Sequence, residues 1–201
     1  MTQQLSELQT ISLPFALNLQ SVHLNEETFE RLCNDNPDLK LELTAKGELV
    51  IMPSTGYESS WRNSILDRRV GNWSEQNKSG KVFDSSTAFT LPNGAKRSPD
   101  VSWISDERIE ALPVEERKGF ARIVPDFVIE LRSPSDSLDE LKDKMVEYVD
   151  NGVRLGWLID PQEKRVHIYR PELQPEILDD PETVSGEDVL EGLVLNVREV
   201  W

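Results

Sequence analysis

Pro125-Asp126-Phe127-Val128-Ile129-Glu130-Leu131-Arg132-Ser133-Pro134 is the stretch that decides the fold. In an extended chain Phe127, Ile129 and Leu131 share one face, and Asp126, Val128, Glu130 and Arg132 share the other. A strand this apolar belongs inside a sheet, so its charged residues stand inward or at an edge. Ser137 with Glu140 three residues later forms a capping box and opens a helix. Leu138, Leu141, Met145, Tyr148 and Val149 make the apolar stripe of that helix, and Asn151-Gly152 ends it. Residues 155–159 and 165–169 flank Pro161-Gln162-Glu163-Lys164 and read as a hairpin.

Upstream of this block, residues 1–25 read as an extended arm, and 26–201 as a single domain. Residues 26–34 form a short helix with Asn25 as N-cap, limited by Pro37. Leu39-Lys40-Leu41-Glu42-Leu43 alternates, Ala45-Lys46-Gly47 turns, and residues 48–52 are apolar again, which gives an amino-terminal hairpin. Trp61, Ile65, Leu66, Val70 and Trp73 follow a helical period from 59 to 77, with Gly80 placed to end the helix. Trp61 and Trp73 read as core or dimer contacts rather than base-stacking platforms. Residues 81–85, 87–91 and 101–104 read as meander strands, and 106–118 as a charged helical excursion.

The chain has 201 residues and a formal charge of -15. No excess of basic residues exists to displace counterions from phosphates, so any nucleic-acid contact must be local. Cys33 alone excludes an intramolecular disulfide, and His23 and His167 leave no Cys/His zinc cage. With no signal-peptide pattern and no apolar run near membrane-spanning length, a reducing cytoplasm is the expected location. The charge is uneven. Residues 171–201 carry nine acids against one base, which reads as a solvated acidic segment, whereas 58–97 carry seven bases against four acids.

No phosphate-cradling glycine pattern occurs, which disfavours a nucleotide cofactor. His167 reads as a strand histidine and His23 lies in the arm, so a Ser or Cys nucleophile lacks a partner. Carboxylates on strands remain. Metal-assisted phosphodiester hydrolysis needs two or three oxygen ligands and a nearby cation. Asp100 begins one strand, Glu130 lies within another, Arg132 shares the face of Glu130, and Lys142 and Lys144 follow on the next helix. If the two strands are neighbours, Asp100 and Glu130 can share one divalent ion. Helical geometry puts Lys142 and Lys144 on opposite flanks of the apolar stripe and does not choose between them.

Ser98-Pro99-Asp100-Val101-Ser102-Trp103, the 125–134 stretch, Lys144-Met145-Val146-Glu147-Tyr148 and Gly156-Trp157-Leu158-Ile159-Asp160-Pro161 together resemble a large bacterial family of restriction-endonuclease type in the PD-(D/E)XK nuclease superfamily. The likeness runs from about Leu41 to Trp201. It implies a restriction-endonuclease-like α/β fold: a mixed central sheet flanked by helices, here with an amino-terminal β-hairpin extension. It also implies magnesium, with manganese as a substitute, held by Asp100 and Glu130. Lys144, four residues before Tyr148, takes the place of the working lysine and positions or deprotonates the attacking water. Glu58, at the start of the first long helix, is implied as an outer metal ligand, although an acid there also suits the helix dipole. The chain departs from the superfamily in having Arg132 two residues after the second acid, where lysine is usual; arginine keeps its proton but can still neutralise phosphate.

The resulting expectation is a magnesium-dependent endonuclease acting on DNA, with residues 58–97 on the entry surface and a homodimer supplying two sites. The competing expectation is a catalytically silent scaffold or nucleic-acid-sensing module with the same fold, motivated by Arg132 and the charge of -15.

Overall fold

A computed structural model describes residues 14–22, 24–117 and 120–201. Most of the expected arm (residues 1–13), His23 and Lys118 lie outside the described residues. In chain order the elements are β1 (Phe15–Asn18), α1 (Glu26–Asp35), β2 (Lys40–Leu43), β3 (Glu48–Met52), α2 (Tyr57–Asn77), β4 (Gly80–Asp84), β5 (Phe89–Thr90), β6 (Lys96–Arg97) and β7 (Val101–Ser105). They continue as α3 (Asp106–Ala111), a 3₁₀ turn, β8 (Phe127–Leu131), α4 (Leu138–Asp150), β9 (Leu155–Asp160), β10 (Arg165–Tyr169), β11 (Glu176–Asp179), β12 (Thr183–Ser185) and β13 (Val194–Asn196), with a closing 3₁₀ turn.

A six-stranded sheet ordered β11-β10-β9-β8-β7-β4 forms the centre, and it is mixed because β8 and β9 alone run parallel. The two faces of β8 behave as its alternation requires. Phe127, Ile129 and Leu131 join Ile65, Leu66, Val70 and Trp73 of α2 in the larger core. Val128 joins Met145 and Tyr148 of α4 in a second core on the opposite face. Each fully buried apolar side chain of this kind contributes about 1.5–3 kcal/mol, so a one-residue slip of β8 would exchange those faces and bury Glu130 in the wrong core. The capping residues act as read from sequence: Thr28 N–H donates to Asn25 Oδ1 and Glu140 N–H to Ser137 Oγ.

The amino-terminal hairpin forms as expected, and its β2 and β3 belong to a five-stranded sheet ordered β1-β3-β2-β6-β5. That sheet draws β5 and β6 out of the expected meander, leaving β4 and β7 paired in the central sheet. The acidic segment is not merely solvated. Val184, Val189, Leu190, Leu193, Leu195, Val197 and Val200 lie in the larger core, while acids such as Glu199 and Glu187 pair with Arg69 and Arg170. Its acids alternate with apolar residues that pack under α2, a pattern that a charge count hides.

Gly80 does not end α2. Lys78 takes the left-handed position there at φ 52°, and Gly80 starts β4 against β7. A Cβ on Gly80 would stand 2.3 Å from the Ile104 carbonyl oxygen and 2.5 Å from the Trp103 ring. Gly80→Ala is therefore expected to cost about 3 kcal/mol through overpacking, read as a lower urea midpoint at unchanged slope. No helix among the described residues is long and apolar enough to cross a membrane.

Candidate active site

The β7–β8 ladder runs from Trp103–Phe127 to Val101–Ile129, and one further step brings Asp100 level with Glu130. There β7 ends, and the Leu131 N–H that faces it would be orphaned. Asp100 fills the gap: its Oδ2 accepts from Leu131 N–H at 2.9 Å, and its Oδ1 accepts from Asn63 Nδ2 of α2 at 3.1 Å. The acid is thus fixed by the sheet on one side and the long helix on the other. Asn63 Oδ1 is itself buried without a partner, an oxygen lone pair left open beside Asp100.

Glu130 is 4% exposed. Its Oε1 accepts from the Tyr148 hydroxyl and from Lys144 Nζ, both at 2.9 Å, so among the described residues Oε2 is uncommitted. Burial pushes the Glu130 carboxyl up to about 7; Lys144 pulls against this, while the charges of Asp100 and Glu42 add to it. Lys144 also donates to Glu42 Oε1 at 2.9 Å. Burial opposes its charge, but Glu130 and Glu42 outweigh burial and raise the ammonium above the ordinary lysine range.

Glu42 belongs to β2, in the other sheet, and is 2% exposed. Its Oε1 also accepts from Ser98 N–H at 3.0 Å, and its Oε2 accepts from Arg97 Nη1 at 3.1 Å. Arg97 Nε in turn donates to Glu147 Oε2 of α4 at 2.6 Å. Burial opposes ionisation of Glu42, yet Lys144, Arg97 and the Ser98 amide outweigh it and hold the carboxyl down at about 2.

The structure therefore brings Asp100, Glu130 and Lys144 together, whereas Arg132 and Glu58 are each paired with another residue. Arg132 donates from Nη1 to Asp160 Oδ2 at 2.7 Å, so its guanidinium is turned to β9 and not to the Glu130 cluster. Glu58 has a 71% exposed side chain paired with Arg62, as an acid at a helix start can be without any metal. Lys142 is paired with Asp139 on the surface, which separates it from Lys144. Of the two tryptophans on α2, Trp73 packs edge-on against Trp103 in the core, whereas Trp61 is half exposed. Within the basic stretch 58–97, Arg62, Arg69, Lys81, Lys96 and Arg97 are paired with acids, while Arg68 and Lys78 are exposed.

Glu42, Arg97, Glu147 and Asn63 were not singled out by sequence. Glu42 alternates with Leu41 and Leu43, the ordinary pattern of a solvent-facing acid; only the packing of β2 between its own core and α4 buries both faces. The signal that could have found it is charge balance, since two buried cations on β6 and α4 need more anion than Glu130 supplies.

A family model described as "Putative restriction endonuclease" (Uma2) matches residues 26–198. The chain belongs to the Uma2 family. The fold of this Uma2 chain is similar to a crystal structure described as a putative nuclease belonging to DUF820 from Anabaena variabilis, with a TM-score of 0.69 and 24% identity over 80% of this chain and 88% of that one. A DrdV–DNA complex studied by electron microscopy is a more distant likeness, with a TM-score of 0.40 and 14% identity over 61% of this chain and 10% of that one. No curated protein matches the Uma2 chain.

Whether the Uma2 site suits the divalent ion its superfamily implies can be judged from its donors. No group of three or more His, Cys, Asp or Glu side chains with metal-site geometry occurs among the described residues. Two carboxylates and the open Asn63 oxygen are hard donors of the kind magnesium takes, and magnesium characteristically keeps several waters. The buried cluster holds four acids, Asp100, Glu130, Glu42 and Glu147, against two cations, Lys144 and Arg97. Lys40 near the rim adds a third cation and leaves the acids in excess. The donor set fits a divalent cation.

Proposed function

We propose that this protein is a magnesium-dependent endonuclease that hydrolyses DNA phosphodiester bonds, with Asp100 and Glu130 as metal ligands and Lys144 as the cation of the site. The observation that carries the reading is the meeting of Asp100, Glu130 and Lys144 at one place in a buried cluster short of positive charge. Magnesium, or manganese in its stead, would supply Lewis-acid polarisation of the phosphate and neutralise developing charge.

The chain's own groups then divide the remaining work. Asp100, held by Leu131 N–H and Asn63, is a preset ligand that needs no rearrangement. Lys144, flanked by two carboxylates, keeps its proton, so it orients the attacking water or a phosphate oxygen through N–H donation rather than removing a proton. Arg132, committed to Asp160, keeps a distance from the scissile group and steadies the end of β8. A pair of chains would place one site on each strand of a duplex.

Plasmid and oligonucleotide cleavage with magnesium or manganese, set against Asp100→Ala, tests the reading. Cleavage by the wild type that is reduced to background in the variant is the expected result. Wild-type cleavage no greater than that of Asp100→Ala would sink it in favour of a silent nuclease-fold module.

A further inference from the structure

We infer that Glu42 is a positioning residue for the Lys144 ammonium, so that the small five-stranded sheet supplies a working part of the site. The inference rests on the nuclease reading above and adds a residue to it. Lys144 extends from α4 on a flexible stem with three rotatable donors, which has no orientation of its own. Two oxygens set one, Oε1 of Glu130 and Oε1 of Glu42, each 2.9 Å away. Glu130 has a second duty as an ion ligand. Glu42 has none, and it is the anchor that does not change when the site is loaded.

The geometry around Glu42 is built to keep it still. Arg97 holds Oε2, Glu147 holds Arg97 from the same helix that bears Lys144, and Ser98 N–H holds Oε1. Ser98 stands two residues before Asp100, so one carboxylate links the ammonium to the segment that delivers the first metal ligand. Stability alone is a poor reason for such a network, since desolvating buried charges offsets most of what their pairing returns. Its placement against the proposed catalytic groups supplies a better one.

The test uses the full chain as wild type, Glu42→Gln, Lys144→Met and the double variant. Glutamine keeps the length of Glu42 and its acceptor oxygen but removes the charge. In protein labelled with ¹⁵N-lysine, a slowly exchanging ammonium resonance, assigned by its loss in Lys144→Met, is expected in the wild type. It should vanish or broaden in Glu42→Gln while the backbone amide spectrum and magnesium binding are retained. In cleavage assays Glu42→Gln should lower kcat about 100-fold at little change in KM and add no further loss in the Lys144→Met background.

Survival of the sharp resonance in Glu42→Gln, or additive losses in the double variant, would overturn the inference. Absence of wild-type cleavage would remove the nuclease reading alone, since the resonance reports on the ammonium without turnover. Should Glu42→Gln fail to fold because Arg97 is left uncompensated, Glu42→Gln combined with Arg97→Met removes both charges, and the same readouts apply.

Discussion

Glu130→Gln is expected to lower DNA cleavage by at least about 10³-fold, the scale of losing a preorganised electrostatic group, while leaving the metal-free protein no less stable above pH 7. The two effects have one cause. Glu130 is buried beside Asp100 and Glu42, and its carboxyl stands near 7 instead of 4.5. The stability this group contributes is fully present below about pH 4.5 and is lost as pH rises through 7, by up to about 3 kcal/mol. Glutamine does not ionise, so the variant should lack that slope. Magnesium should raise the thermal midpoint of the wild type at pH 8 and leave Glu130→Gln unmoved, because only a site that binds the ion in the folded state gains from it. Equal magnesium shifts in the two proteins would remove Glu130 as a ligand. Calorimetric titration with magnesium reads the same difference directly.

Arg97→Met is expected to be the most destabilising change among the charged residues, at about 3–5 kcal/mol. The guanidinium is 12% exposed and bridges Glu42 and Glu147, and methionine would leave both carboxylates with one less partner in a buried place. In a chain of this size the thermal midpoint should fall by about 10 °C. Lys81→Met, which breaks the exposed pair with Asp106, should move stability by no more than about 0.5 kcal/mol. Acid narrows the contrast. Glu42 at about 2 contributes stability that is present above about pH 4.5 and lost as pH falls through 2, so the urea midpoint of the wild type should fall more steeply between about pH 4.5 and 2 than that of Arg97→Met, whose Glu42 carboxyl has lost one of the charges that hold it down. A loss below about 1 kcal/mol in Arg97→Met would mean that the network contributes little to folding.

Much of this was legible in the chain because local chemistry and final packing agree. The alternation of residues 126–132 gave both faces of β8 correctly, and the caps at Asn25 and Ser137 stand where read. Asp100 and Glu130 could be paired from their strands, whereas the choice of Lys144 over Lys142 needed the family resemblance, since helical period alone treats them alike. What stayed hidden is non-local. Nothing near Lys96 or Leu43 announces that β6 leaves the meander to pair with β2, a single bridge set by how the two sheets meet. Once that bridge forms, Glu42 passes from an apparent surface acid to the counterion of two buried cations. Arg132 misled for a related reason: its partner Asp160 lies 28 positions away on β9. The acidic carboxyl-terminal residues misled because charge was counted without the apolar positions between them.

The separation of parts between two sheets makes the site conditional on how the sheets meet. One sheet bears Asp100 and Glu130, and the other bears the acid that steadies Lys144. A chain with the smaller sheet undocked from the larger would hold the acids without a settled ammonium. On the nuclease reading, such a chain is disarmed. Competence to cut, on that reading, requires both sheets to be docked together.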